Sequence, residues 1–273
     1  MRRYLNAYDF HFHMTWKVEK VEKRFPKLND SILIAGLPGI GNVGKVAVDF
    51  MIADLKADKL CSFFSYTLPN SVFVNEENLI ELPSIEMYYK KRGKGKRDIL
   101  FLAGDIQPTS EETSYEFCET VLELCMQLKC KEIITLGGIG LASVSKTPKI
   151  YITGNDKKYI SDFSKNTGLN PKLYGVVGPI VGVSGLLLGL SKRKNRKAIA
   201  LLSETLAHPM YLGIRGSKEI ITLLDKKLKL GINIKRLEQD IKDMEADMQN
   251  KGDLEKVSKK IKDTMGKDMN YIG

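Results

Sequence analysis

A glycine-rich turn set between an apolar run and a helical pattern has the form of a nucleotide-binding loop. It reads Ile32-Leu-Ile-Ala-Gly-Leu-Pro-Gly-Ile-Gly-Asn-Val-Gly-Lys-Val46. Gly39, Gly44 and Lys45 keep the spacing of a Walker A loop, G-x-x-x-x-G-K-[ST]. The last position of that motif gives a hydroxyl to magnesium, a hard cation that takes oxygen ligands. Here it is Val46, which has none to give. Gly39, Gly41 and Gly44 also fit G-x-G-x-x-G. A dinucleotide fold then needs an acid about 20 residues later, at the end of the second strand. The next strand-like run, Leu60 to Tyr66, ends without a carboxylate, and Asp58 precedes it. Gly36, Gly39, Gly41, Gly44 and Lys45 are therefore read as a structural turn whose glycines permit positive φ and close helix–sheet packing. A weak anion site at the helix N-terminus is the most this turn would add. No cofactor and no metal is expected.

Polar residues also gather where strand-like runs end: Asp105-Ile-Gln107, Ser143 and Ser145 with Lys146, and Ser203-Glu-Thr-Leu-Ala-His208. Ligands of open α/β sheets bind at such carboxyl ends. Ser203, His208 and Asp105 have the composition of a hydrolase triad, but no G-x-S-x-G elbow frames the serine. His208 precedes Pro209, which suits a turn. Glu111 and Glu204 are expected to bond backbone N–H groups at helix starts. Three histidines without a spaced set of carboxylates argue against a catalytic metal.

The 273-residue chain is basic, with a net charge of +10 and a pI of about 9.2. That balance favours acidic partners. The lysines are spread widely, and aromatics do not interleave with them. The densest cluster, Lys90-Lys-Arg-Gly-Lys-Gly-Lys-Arg97, is read as a solvated hairpin or loop, so nucleic acid is not an expected partner. Cys61, Cys118, Cys125 and Cys130 form no C-x-x-C pair, which argues against structural zinc and for buried free thiols in a reducing, cytoplasmic setting. Val176 to Leu190 is too short for the ~20 apolar residues of a membrane span and contains Pro179. Residues 1–14 lack a continuous apolar core and read as a loose extension, with Met14 an alternative start.

The elements that would position these groups alternate. Ile32–Ala35 precedes a helix near Asn42–Leu55. Leu60–Tyr66, Val72–Val74, Leu79–Leu82 and Ile85–Tyr89 read as an antiparallel meander. Ile99–Ala103 is a continuous apolar run, as a strand buried on both faces should be. Thr109 or Ser110 caps a helix that buries Phe117, Val121, Leu124 and Leu128. Ile133–Leu136 ends in Gly137-Gly-Ile-Gly140, and Ile199–Leu202 ends in Ser203-Glu-Thr. This is the pattern of an α/β sandwich: a mixed central sheet flanked by helices. Hydrophobic content of 43% supports a sizeable core. The expected domain spans 15–230. Beyond it, over 231–268, Leu237, Ile241, Met244 and Met248, then Leu254, Val257, Ile261 and Met265, keep helical spacing on otherwise charged segments. They predict a helical hairpin or stalk whose narrow apolar seam meets a partner surface. Residues 269–273 form the tail.

Five blocks occur in order: Gly36-Leu-Pro-Gly-Ile-Gly-Asn-Val-Gly44, Ala103-Gly-Asp-Ile-Gln-Pro108, Thr135-Leu-Gly-Gly-Ile-Gly140, Gly178-Pro-Ile-Val-Gly-Val-Ser-Gly-Leu-Leu-Leu-Gly189 and Glu204-Thr-Leu-Ala-His-Pro209. Over Ile32 to Leu228 the chain closely resembles archaeal proteasome assembly chaperone homologues of the PbaA type, which have at times carried an ATP-grasp label. The resemblance implies a non-enzymatic, ATP-independent, homo-oligomeric chaperone, with a pentameric ring as one arrangement, that binds proteasome α subunits or the α-ring. It also implies C-terminal helices and a tail reaching pockets between α subunits, which places Met269, Asn270, Tyr271, Ile272 and Gly273 at the contact. Such tails end in a hydrophobic residue, Tyr and any residue. Here Tyr271 is third from the end and follows Asn270, so docking would need a shifted register. The alternative is a nucleotide-dependent ligase or transferase that uses the turn at 36–45.

Overall fold

The computed structural model describes residues 16–239, apart from positions 76, 172, 174, 176, 177, 209 and 210. The described residues fall into two compact units, one ending at Ile232 and the other starting at Asn233. In chain order the elements of the first unit are β1 (Lys17–Lys20), β2 (Ile32–Ala35), α1 (Val43–Leu55), β3 (Asp58–Phe64), β4 (Phe73–Val74), β5 (Ile80–Glu81) and β6 (Ile85–Lys90). There follow β7 (Ile99–Gly104), α2 (Glu111–Gln127), β8 (Glu132–Leu141), β9 (Ile150–Gly154), α3 (Lys157–Ser164), α4 (Val183–Arg193), β10 (Lys197–Leu206) and α5 (Ile214–Leu228).

Eight strands form one mixed sheet in the order β1-β3-β6-β7-β2-β8-β10-β9. Its centre, β7-β2-β8-β10, is parallel. The strands β2 and β7 are buried along their whole length, which is why they read as unbroken apolar runs. Side chains alternate between the faces. Leu33, Leu100, Leu102 and Ile133 join one core cluster with Phe117, Val121 and Leu187 of α2 and α4. Ile34, Phe101 and Ile134 are buried on the opposite face, where α1 packs beside α5. Each fully buried side chain of this size stabilises the fold by roughly 2 kcal/mol relative to exposure.

The two crossovers explain the layers. From β2 the chain crosses through α1 to β3 on one side of the sheet order; from β7 it crosses through α2 to β8 on the other. Right-handed crossovers running in opposite directions place their helices on opposite faces. The neighbouring strands β7 and β2 therefore send their outgoing loops to opposite faces, which opens a crevice at their carboxyl ends.

Local signals account for most boundaries. Ser110 caps α2 by accepting the Thr113 N–H at 3.3 Å, and Glu111 and Glu112 sit in the first turn, where the helix dipole favours acids. Trp16 packs on Phe117 with ring centroids 4.7 Å apart and donates its indole N–H to the Thr113 carbonyl. All four cysteines are free and buried. Burial pushes the Cys61 thiol up to about 12 and raises Cys118 as well.

Several expectations need correction. The strand expected at Leu60–Tyr66 runs Asp58–Phe64, so Asp58 opens it instead of preceding it. The meander divides: β6 joins the main sheet, whereas β4 and β5 pair only with each other. Strand β8 continues through Gly137–Gly140, and β10 through Ser203–Leu206, because the two pair in register to Leu141 and Leu206. Glu204 sits on a strand and not at a helix start; it accepts the Lys149 N–H at 3.0 Å and the Tyr151 hydroxyl at 3.3 Å. The strands β1 and β9 and the helices α3 and α5 had no counterpart in the sequence reading.

In the second unit, residues 234–239 are helical, and Asn233 caps them by accepting the Arg236 N–H at 3.1 Å. Among the described residues no helix is long and apolar enough to cross a membrane.

Candidate functional site

The glycine-rich turn leaves β2 at Gly36, passes through a short 3-10 turn at Ile40–Asn42 and enters α1. Protein backbone occupies its inner side. A Cβ on Gly36 would lie 2.1 Å from the Gly44 carbonyl oxygen, and one on Gly44 would lie 2.3 Å from that of Leu136. Real Cβ atoms do not approach so closely, so these glycines let the start of α1 seat directly on β2 and β8. Gly41 has φ +61 and presses on Thr205, where a side chain would be strained. Gly39 differs: open space surrounds it, with its nearest neighbour 4.0 Å away.

Lys45 points away from the turn. Its Nζ lies 3.0 Å from Asp49 Oδ2 and 3.3 Å from Asp105 Oδ1. It lines a separate cavity of about 260 Å³ with Ser84, Glu86 and Tyr88. Burial alone would lower its ammonium, yet the two carboxylates hold it above its ordinary value. The partners respond unequally. Burial pushes Asp49 up despite Lys45. Burial acts the same way on Asp105, but the Ser84 N–H and hydroxyl and the Lys45 ammonium overcome it and hold that carboxyl below its ordinary value. At 3.0 Å the Lys45–Asp49 contact is an ion pair near neutral pH, and Asp49 is the member that gives up its charge first on acidification. Tyr88 donates to Glu86, and burial raises its phenol.

The crevice at the carboxyl ends of β2, β7 and β8 is a cleft of about 1210 Å³. The turn supplies Pro38, Gly39 and Ile40 to it, and the loop after β7 supplies Gln107 to Ser110. The glycine-rich end of β8 and the segment Gly178–Leu186 before and within α4 complete the wall. Gln107 ties the walls together: its Nε2 donates to the Pro38 carbonyl at 2.8 Å, and its Oε1 accepts the Val183 N–H at 3.4 Å. Among the described residues Glu111 is the single charged group in the lining. Sequence reasoning placed polar groups at these strand ends but missed the cleft itself. Its one legible signal was the recurrence of Gly and Pro in four separate blocks.

The other nominated residues do not assemble. Ser203 is fully buried and faces Gly216 of α5. Asp105 follows β7, three strand spacings from β10, or about 14 Å across the sheet, and is engaged with Lys45 and Ser84. In the basic 90–97 loop, Arg92 donates to the Leu228 and Lys229 carbonyls, and Arg97 pairs with Asp30 and Glu132. Both arginines are thus committed within the protein. Among the described residues no group of three His, Cys, Asp or Glu side chains is placed to hold a metal. Of the expected helical seam, Leu237 lies in the helix at 234–239. Ile241, Met244, Met248, Leu254, Val257 and Ile261, and the tail Met269–Gly273, lie outside the described residues.

The PAC2 family model matches residues 33–251, most of the chain. The chain belongs to the PAC2 family. An uncharacterized protein of Methanocaldococcus jannaschii, MJ1210, is 28% identical over 233 residues, 85% of each chain. PbaB of Pyrococcus furiosus, described as an archaeal proteasome activator, superposes with a TM-score of 0.78 at 27% identity, over 87% of this chain and 98% of that one. PbaA of the same organism, described as an archaeal homolog of proteasome-assembly chaperone, shares the fold with a TM-score of 0.71 at 21% identity, over 92% of this chain and 97% of that one. The family resemblance carried by the five sequence blocks is thereby borne out.

Proposed function

We propose that this PAC2-family protein is a non-enzymatic scaffold that binds proteasome α subunits. It works as a homo-oligomer without nucleotide, and its C-terminal helices and tail make the contact. The observation that carries this reading is the likeness to PbaB, at 27% identity across nearly the whole of that proteasome activator. The geometry of the turn supports it. Backbone fills the inner side of the Walker-like loop at Gly36 and Gly44, and Lys45 is spent on Asp49 and Asp105 away from the cleft. A phosphate on the open, Gly39 side of the turn would meet no available ammonium. The tail Met269-Asn-Tyr-Ile-Gly273 offers an aromatic ring to bury and a terminal carboxylate for a lysine or backbone N–H groups, the elements of a short-peptide ligand.

Two measurements test the reading. Removal of Asn270–Gly273 is expected to abolish capture of the full-length protein by an immobilised α-ring while leaving its native mass unchanged; equal capture would overturn the tail's role. Titration calorimetry with millimolar ATP and magnesium is expected to show no binding heat. A saturable signal would favour the ligase or transferase alternative.

A further inference from the structure

The segment between β3 and β6 carries an apolar surface that its own unit leaves uncovered. In the β4–β5 ribbon Phe73 faces Glu81 and Val74 faces Ile80. Extending that register pairs Val72 with Leu82. Residues directly opposite in an antiparallel pair project to the same face, as do residues two apart. Val72, Val74, Ile80 and Leu82 therefore form one aliphatic face, and each is more than half exposed. The other face is mixed: Phe73 and Leu79 lie on it, both exposed, beside Asn75 and Glu81, which are bonded to each other at 2.7 Å. A two-stranded ribbon is marginal alone in water, and an apolar patch of this kind marks a contact surface.

The complementary surface lies on the same edge of the sheet. The strands β3 and β7 are both antiparallel to β6, so the ribbon leaves the sheet at the carboxyl edge that holds the cleft. Ile40, Tyr115 and Val181 at the cleft are also more than half exposed, Val181 at 82%. Among the described residues the cleft lining has only Glu111 as a charged group. The segment Leu60 to Asn75 has no charged residue, and the charges that follow it up to Leu82, Glu76, Glu77 and Glu81, are all acidic. The ribbon's acids, Glu77 in its turn and Glu81 on β5, are matched in sign by the exposed Lys146 and Lys149 that follow β8 at this edge. At about 1210 Å³ the cleft exceeds the usual small-molecule range of roughly 300–1,000 Å³, and it suits a polypeptide segment.

We infer that the β4–β5 ribbon of one copy docks its Val72/Val74/Ile80/Leu82 face into the carboxyl-edge cleft of a second copy. The contact joins two different patches, so copies link head to tail and close as a pair or a ring. It deepens the proposed function by giving the homo-oligomer its interface, and it rests on that reading only for self-association.

The test uses the full chain and no proteasome component, so it can fail independently of the α-ring assay. Size-exclusion light scattering should report a mass above the 30.7 kDa of one chain. Two variants, Val74→Glu with Ile80→Glu on the ribbon and Val181→Glu at the cleft, should each weaken association at least a hundredfold and run as monomers. Mixed together they should recover a two-chain species, because one retains a working cleft and the other a working ribbon. A photo-crosslinker at position 80 in the otherwise unaltered chain reads the contact without relying on the variants' folding. Products of doubled mass joined to cleft peptides are expected. A monomeric parent chain, unchanged variant masses, no recovery on mixing, ribbon-to-ribbon crosslinks, or crosslinks within one chain (the ribbon closing over its own cleft) would each overturn the inference.

Discussion

The glycine turn at 36–44 and the ribbon at 72–82 leave adjacent regions of the same sheet edge, and they are opposites. The inner side of the turn has no spare room: Gly36 lies on Gly44, Gly44 on Leu136 and Gly41 on Thr205. The ribbon has surface in excess, with four aliphatic side chains facing outward. The first region resembles a ligand loop in sequence and serves as internal masonry. The second passed as two ordinary strands of a meander and is the stronger candidate for contact. A sequence motif records which backbone shapes are allowed; whether that shape faces solvent or its own protein depends on residues far away in the chain.

The contrast can be broken at its strongest point. Gly44→Ala forces a methyl to within 2.3 Å of the Leu136 carbonyl. Overpacking against backbone should cost about 3 kcal/mol and lower the melting temperature by roughly 10 °C. A calorimetric melt within a degree or two of the parent would show that the turn has room after all. A gain is expected nearby. The Thr205 hydroxyl is buried without a hydrogen-bond partner beneath Gly41, so the isosteric Thr205→Val should raise stability by about 1 kcal/mol in urea unfolding. On the ribbon, Ile80→Ser should move the urea midpoint by less than about 0.5 kcal/mol when measured at protein concentrations where the chain is monomeric. A loss as large as that of Gly44→Ala would mean that Ile80 is already covered within its own chain.

The smallest effect concerns acid. Asp105 is held below its ordinary 3.8 by Ser84 and Lys45. A carboxyl depressed in the folded state contributes stability above its unfolded value, and that contribution is lost as pH falls through the folded value. Ser84→Ala should therefore flatten the decline of stability on the acid side of pH 4 and leave the slope near pH 7 unchanged. Denaturant melts across that range provide the check.

Much of the fold was legible. Ile32–Ala35 read as a strand and Ile99–Ala103 as a strand buried on both faces because no polar residue interrupts either. The start of α2 read correctly because Ser110 and the acids after it are helix-start chemistry. The lower edge of the sheet order did not read: Lys17-Val-Glu-Lys20 is charged on an edge strand and lacks the apolar alternation that signals burial. Gly137–Gly140 read as a turn, whereas the Ile40 carbonyl comes within 2.2 Å of where a Gly138 side chain would begin, so those glycines are required inside a strand. The cleft was invisible because segments more than 140 residues apart build it, from Leu37 to Leu202, and none of them announces a ligand.

The buried cysteines have a practical corollary. With Cys61, Cys118, Cys125 and Cys130 all enclosed, and with burial holding Cys61 and Cys118 in the protonated form, the native protein should resist alkylating reagents, which attack thiolates. Modification would then report unfolding directly. A single cysteine introduced on the ribbon would be the protein's one readily labelled thiol, so a fluorophore could follow that surface with no background from the rest of the molecule.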